Sequence, residues 1–178
     1  MKRLPGDRDA ASEVARMIRV DHAGEYGAKR IYDGQLAVLG PNRSGAARKI
    51  RHMAEQEQRH LDAFEKLVIE RRVRPTALSP LWHVAGFALG AATALMGERA
   101  AMACTVAVEE VIDEHYRRQI DALGEDEPAL RQALEEFRDN EIEHRDTALE
   151  SGGDAAPALL SAAIKTGSRL AIWLSTRI

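Results

Sequence analysis

A single cysteine, Cys104, stands among 178 residues. One thiol cannot close an internal disulfide, and it excludes a cysteine-rich zinc site or an iron–sulfur cluster. Positive charge is not in excess either. There are 25 Lys and Arg against 28 Asp and Glu, a formal net charge of -3 and a pI near 6.1, whereas a nucleic-acid binder normally carries a basic surplus. Aromatic residues are only 4% of the chain. The opening stretch MKRLPGDRDAASEV has no apolar core behind its basic residues and no Arg/Ser-rich extension, so neither a secretory signal nor an organelle transit peptide is expected. Few segments look like strands, and no low-complexity tract interrupts them. The remaining composition, 45% apolar and 30% charged, is ample for one core. At this length a single domain over residues 1–178 is expected.

Ala, Leu, Glu, Arg and Gln dominate, and apolar residues recur three and four positions apart, the period of a helix with one buried face. Gly and Pro clusters mark the breaks. The pattern predicts a helix over about residues 10–39, closed by Gly40-Pro41-Asn42, and a second over 44–72, ending before Pro75. A weakly polar segment covers 80–97, followed by a helix over 98–123. The next runs over 128–149, with Pro128 in the favoured first turn and Gly152-Gly153 beyond its end. A last helix covers about 157–176. The fold class is therefore all-α: a four-helix bundle with two additional helices.

The chemistry lies in a repeat. Glu57 and His60 form an E-x-x-H pair in the second helix, and Glu141 and His144 form another in the fifth. Three residues apart on a helix, the two side chains share a face and can reach one metal ion. With 17 Glu and 6 His in the chain, chance supplies roughly 0.6 of such a pair, so one alone means little. The spacing changes the odds. Glu25 precedes Glu57 by 32 residues, Glu109 precedes Glu141 by the same 32, and the whole set recurs at an offset of 84. The same offset pairs Ala23 with Ala107, Tyr32 with Tyr116, Gln35 with Gln119, Leu39 with Leu123, Gly40 with Gly124 and Asp62 with Asp146. This is a diverged duplication of a helical hairpin.

Two such hairpins packed together bring four glutamates and two histidines to one place, the ligand set of a carboxylate-bridged di-iron or di-manganese site. Four converging carboxylates repel one another and lose hydration, a cost of several kcal/mol per ion unless it is offset. Two divalent cations cancel their charge, and the imidazoles add neutral nitrogen donors suited to iron or manganese.

The segments IRVDHAGEYGAKRIYDGQLAVL, EQEQRHLDAF, TVAVEEVIDEHY and FRDNEIEHRD resemble the di-iron hydroxylases of ubiquinone biosynthesis, the demethoxyubiquinone hydroxylase family, from about Ile18 to the C-terminus. The resemblance implies a ferritin-like fold. It implies two iron ions per chain on Glu25, Glu57, His60, Glu109, Glu141 and His144, with Glu57 and Glu141 bridging. It also implies hydroxylation of a polyprenyl demethoxybenzoquinol ring by dioxygen, a late step in ubiquinone biosynthesis. NADH or the quinol itself are the candidate reductants. His115 and Tyr116 lie near the expected site and are candidates for orienting the ring or relaying protons and electrons. Gln56 and Asn140 depart from the wider ferritin-like pattern, which often has Asp before the E-x-x-H pair, so the groups supporting the histidines must differ. His22 reads as structural, His52 and His83 as non-ligands, and Cys104 as a small core residue.

Residues 75–97 carry no formal charge, and by length alone they could span a bilayer. A single span, however, would leave the two halves of the ligand set on opposite sides of the membrane. The expected placement is therefore interfacial or against protein, and the segment 157–178, with Lys165, Arg169, Trp173 and Arg177, reads as an interfacial amphipathic helix. Together they would form a platform admitting an isoprenoid tail, on the cytoplasmic face of a bacterial membrane. A homodimer or other ubiquinone-biosynthesis proteins are expected partners; nucleic acid is not. The alternatives are a ferroxidase, peroxidase or manganese catalase with similar ligands, and a non-catalytic quinone- or lipid-binding helical protein.

Overall fold

The computed structural model describes residues 9–40, 43–155 and 157–178. Pro41 and Asn42 of the first predicted break, and the N-terminal residues 1–8, lie outside them. Six α-helices follow in order: α1 (Ala10–Leu39), α2 (Gly45–Glu70), α3 (Ser79–Leu95), α4 (Glu98–Leu123), α5 (Pro128–Glu150) and α6 (Ala158–Ser175). The described residues contain no strand. Local chemistry sets the boundaries. The Asp9 side chain caps α1 by accepting from Ser12 N, and Ser44 caps α2 by accepting from Ala47 N. Gly40 and Gly124, a pair in the repeat, stop α1 and α4 at φ of +73° and +58°, a backbone region open to glycine. The second helix stops at Glu70, slightly short of the predicted 72, where Arg72 turns to φ +51°.

Helices α1 and α2 pack as one hairpin, and α4 and α5 as the other. The third helix of each half then folds back on its first: α3 lies along α1, and α6 along α4. The duplication is thus of three helices in topology, although the residue identities are confined to the first two. The seam between α3 and α1 is backbone against backbone. A methyl group at Gly90 would collide with the Ile31 carbonyl, one at Gly34 with the Phe87 carbonyl, and one at Gly86 would sit 2.9 Å from the Gly27 carbonyl oxygen.

Two apolar layers fill the bundle. One gathers Met17, Ile18, Phe64, Leu130, Leu134 and Phe137; the other gathers Ile50, Met53, Ala101, Met102 and Ala148. Cys104 is fully buried in a small third cluster with Ala107, Val108 and Ile164, where burial pushes its thiol up to about 12. It is a core residue, as expected.

Candidate metal centre

Among these apolar layers, all six residues of the repeat are at most 1% exposed: Glu25 on α1, Glu57 and His60 on α2, Glu109 on α4, Glu141 and His144 on α5. Their donor atoms form two overlapping groups. Glu25, Glu57, His60 and Glu141 offer atoms within 4.8 Å of one another, and so do Glu57, Glu109, Glu141 and His144. Glu57 and Glu141 belong to both. The structure therefore brings together the whole predicted set and divides it into two four-residue groups sharing two carboxylates.

The unsatisfied atoms test whether a metal pair fits. Glu25 Oε2, both oxygens of Glu57 and of Glu141, Glu109 Oε2 and the Nδ1 atoms of His60 and His144 are buried without a hydrogen-bond partner. His60 Nδ1 approaches Glu141 at 3.1 Å and Glu25 at 3.3 Å, and His144 Nδ1 lies 3.3 Å from Glu57 and Glu141, yet none of these contacts is aligned as a hydrogen bond. Unpaired buried polar atoms are costly. Eight converging in one place are a donor set that could hold metal. Electrostatics agree: burial, then repulsion from neighbouring carboxylates, drives Glu57 and Glu109 well above the usual carboxylate range. Burial alone would lower His60, but Glu141 and Glu25 beside it push it up to about 10. Divalent cations bound there would relieve both distortions.

The groups that hold the histidines are crossed between the halves. His60 Nε2 donates to Asn140 Oδ1 at 3.0 Å, and His144 Nε2 donates to Gln56 Oε1 at 3.1 Å. Gln56 and Asn140 are themselves related by the offset of 84, so the amides that depart from the Asp pattern form a reciprocal pair. In the neutral ring, an amide oxygen accepting from Nε2–H leaves Nδ1 bare and facing the carboxylates. Phe137 stacks on His60 at 4.2 Å between ring centroids.

The tyrosines of the repeat are crossed in the same way. Tyr32 Oη donates to Glu109 Oε1 at 2.6 Å, and Tyr116 Oη donates to Glu25 Oε1. Burial and the adjacent carboxylates raise both phenols well above their ordinary range, so both are donors. Tyr116 thus lies at the site, and Tyr32 has the equivalent place in the other half. Only its recurrence at the offset of 84 marked Tyr32 in the sequence.

His115 is placed differently: its Nε2 donates to Asp21 Oδ1 at 2.9 Å. Gln119 Nε2 donates to the same oxygen at 2.8 Å. Asp21 is buried, and desolvation raises its carboxyl against the pull of His115. No pattern had singled it out, because its counterpart at the offset is Thr105. His22 is half-buried, His83 stacks with Tyr26, and His52 is exposed on a polar cleft with Arg48, Lys49 and Glu143. None of the three joins the centre.

A cavity of about 370 Å³ reaches the centre between α1, α3, α4 and α6. Glu25 and Tyr116 contribute to its wall, with Asp21 and His115; most of the remainder is apolar, including Val20, Ile31, Leu89, Val108, Ile112 and Ile172. Helices α3 and α6 do not pack on each other. A hydrogen bond from Trp82 Nε1 to Ser175 Oγ (3.0 Å) and one from Ala77 N to Ile178 O tie them at one end.

Residues 12–175 match the family described as "Ubiquinone biosynthesis protein COQ7". The chain belongs to the COQ7 family. It is 58% identical to the 3-demethoxyubiquinol 3-hydroxylase of Rhodospirillum rubrum, over 99% of this chain and 84% of that one. It is 52% identical to the NADPH-dependent 3-demethoxyubiquinone 3-hydroxylase, mitochondrial, of Homo sapiens, over 97% and 81%. With the 5-demethoxyubiquinone hydroxylase, mitochondrial, of Saccharomyces cerevisiae the identity is 40%, over 94% and 79%. The chain is thus a hydroxylase of ubiquinone biosynthesis, with a buried acid and histidine centre able to hold metal.

Proposed function

We propose that this chain is a di-iron monooxygenase that hydroxylates the ring of a polyprenyl demethoxybenzoquinol, acting as a single domain over residues 1–178. The observation that carries the reading is the set of eight unpartnered buried donor atoms at the inner end of a largely apolar cavity. Glu57 and Glu141, common to both donor groups, would bridge two iron ions; Glu25 and His60 would complete one side, Glu109 and His144 the other. Bound there, the iron pair supplies the redox chemistry of dioxygen activation, with one oxygen atom entering the ring and the other leaving as water.

The residues of the chain do the remainder. Tyr116 and Tyr32 hold Glu25 and Glu109 through one oxygen each, leaving the other free. The apolar walls exclude bulk water from the reacting end and suit an isoprenoid tail. A ferroxidase, peroxidase or catalase has no need of such a cavity, and a non-catalytic lipid binder has no need of six intact donors.

The reading extends to the membrane. Leu81, Val84, Leu95 and Met96 of α3 and its end, and Leu159, Leu170 and Trp173 of α6, are each at least half exposed. Surface apolar residues in such numbers mark an interaction face, and the face lies beside the cavity. Among the described residues no helix is long and apolar enough to cross a membrane, so attachment would be interfacial, at the cytoplasmic face of a bacterial membrane. The cations of the last helix contribute less than their number suggests. Lys165 pairs with Glu110, Arg169 pairs with Glu114, and Arg177 sits over the Trp173 ring at 3.9 Å. The electron donor (NADH, NADPH or the quinol itself) and a homodimeric or heteromeric assembly belong to the same proposal.

The test is anaerobic iron loading, then reduction and dioxygen addition with a short-tailed demethoxyquinol. Two irons per chain and hydroxylated product are expected. Iron oxidation or peroxide turnover without product would favour the ferroxidase or peroxidase class, and failure to bind two metals would sink the centre itself.

A further inference from the structure

The cavity wall departs from the twofold relation of the two halves at a particular place. Where the second half has His115 the first has Ile31, and where the first has Asp21 the second has Thr105. These four positions flank the symmetric tyrosines and glutamates, yet only Asp21 and His115 make a polar pair. Both line the cavity beside Glu25 and Tyr116.

Hydrogen-bond capacity determines what this pair presents. Asp21 Oδ1 receives N–H groups from both His115 and Gln119. A carboxyl oxygen taking two donors is an acceptor whether or not the other oxygen carries a proton, so the His115 proton stays on Nε2. In the neutral imidazole Nδ1 is then a bare lone pair, and among the described residues no protein group hydrogen-bonds to it. Two neighbouring donors are already engaged. The Tyr116 hydroxyl donates to Glu25, and the Trp82 N–H donates to Ser175. Near Glu25, on α1 and α4, the unpartnered groups left for a ring are His115 Nδ1 and the oxygens Asp21 Oδ2 and Glu25 Oε2, each an acceptor when its carboxyl is ionised.

We propose that Asp21 is a positioning residue that fixes His115 as an acceptor and so makes the cavity select the reduced ring, the hydroquinone with O–H groups to donate, over an acceptor-only ring. This rests on the quinol-hydroxylase reading above. A hydroquinone O–H can donate to Nδ1. A quinone carbonyl or an aryl ether there opposes acceptor to acceptor and leaves both unsatisfied, which a buried site discriminates strongly.

The test compares equilibrium binding of a short-tailed demethoxyquinol and its dimethyl ether to the iron(II)-loaded full chain, without oxygen. In the unaltered protein the quinol should bind about tenfold or more tightly. His115→Phe should bring the ratio close to one, and Asp21→Leu should reduce it at least about threefold by freeing the imidazole. Asp21→Asn keeps an oxygen where Oδ1 stands and should leave the ratio within about twofold of the starting value. A packing role for Asp21 would weaken both ligands alike and leave the ratio unmoved, and thermal unfolding shows whether a variant has folded. If Asp21→Leu does not fold, His115→Phe and Asp21→Asn still decide the matter. A ratio that survives His115→Phe, or that Asp21→Asn abolishes, overturns the proposal. Equal binding of both ligands by the unaltered protein overturns it too, whereas binding of neither overturns the quinol reading on which it rests.

Discussion

The two halves of the molecule agree closely where metal would be held and disagree where a substrate would lie. In each, a glutamate on the first helix takes a tyrosine hydroxyl from the other half, and a histidine on the second takes an amide oxygen from the other half. Away from those pairs the halves diverge: Asp21 and His115 face the cavity, whereas Thr105 and Ile31 offer no such pair. A metal pair asks for balanced donors on both sides. An asymmetric ring arriving from one side asks for a polar group on that side only. The repeat is thus symmetric around the six donors and asymmetric along the cavity wall.

The same contrast runs through the third helices. Helix α3 meets α1 through glycines with carbonyl oxygens against them. Helix α6 rests on α4 through Ile164, Leu160 and two ion pairs, and at its Gly167 an added methyl group meets nothing.

The largest effect expected separates shared from unshared carboxylates. Glu57→Ala or Glu141→Ala should abolish binding of both metals together, because each belongs to both donor groups. Glu25→Ala or Glu109→Ala should leave one site partly occupied. Metal analysis of the purified variants checks this, and two irons per chain in Glu57→Ala would refute a shared role. Next come the third helices: Gly90→Ala should destabilise the fold by about 2–3 kcal/mol through forced separation of α1 and α3. Gly167→Ala should be neutral or slightly stabilising, by up to about 1 kcal/mol from helix propensity. Thermal unfolding of the pair measures the difference. The smallest effect tests the symmetry itself. Gln56→Leu and Asn140→Leu should each weaken metal affinity by about tenfold, and by similar factors, since each releases one histidine. Metal titration with a competing chelator would expose any inequality between the halves.

Much of this was legible in one dimension. Helix positions follow from apolar periodicity and from Gly and Pro breaks, and α1 and α4 fall at the residues expected. The six donors were legible because a repeated spacing is improbable by chance. Residues that act across halves were not. Gln56 and Asn140 stood out only as departures, since nothing local shows that each reaches the histidine of the other hairpin. Asp21 stood within a segment that carries the family resemblance, but its role left no local signal, because its partners His115 and Gln119 are 94 and 98 residues away. Nor did the pattern show that α3 and α6 take equivalent places. Weak hydrophobicity says that a helix needs covering, not which neighbour covers it.

The glycine seam also decides which wall of the cavity can breathe. Where backbone touches backbone, even a small slide of α3 along α1 drives carbonyl oxygens into the opposing helix, so that wall is stiff. The opposite wall, α6, is held by Ile164 and Leu160 and by two ion pairs at the surface, which solvent screens. If the proposed isoprenoid tail enters by this gap, the C-terminal helix is the wall that would have to yield, with its tether at the end where Trp82 donates to Ser175.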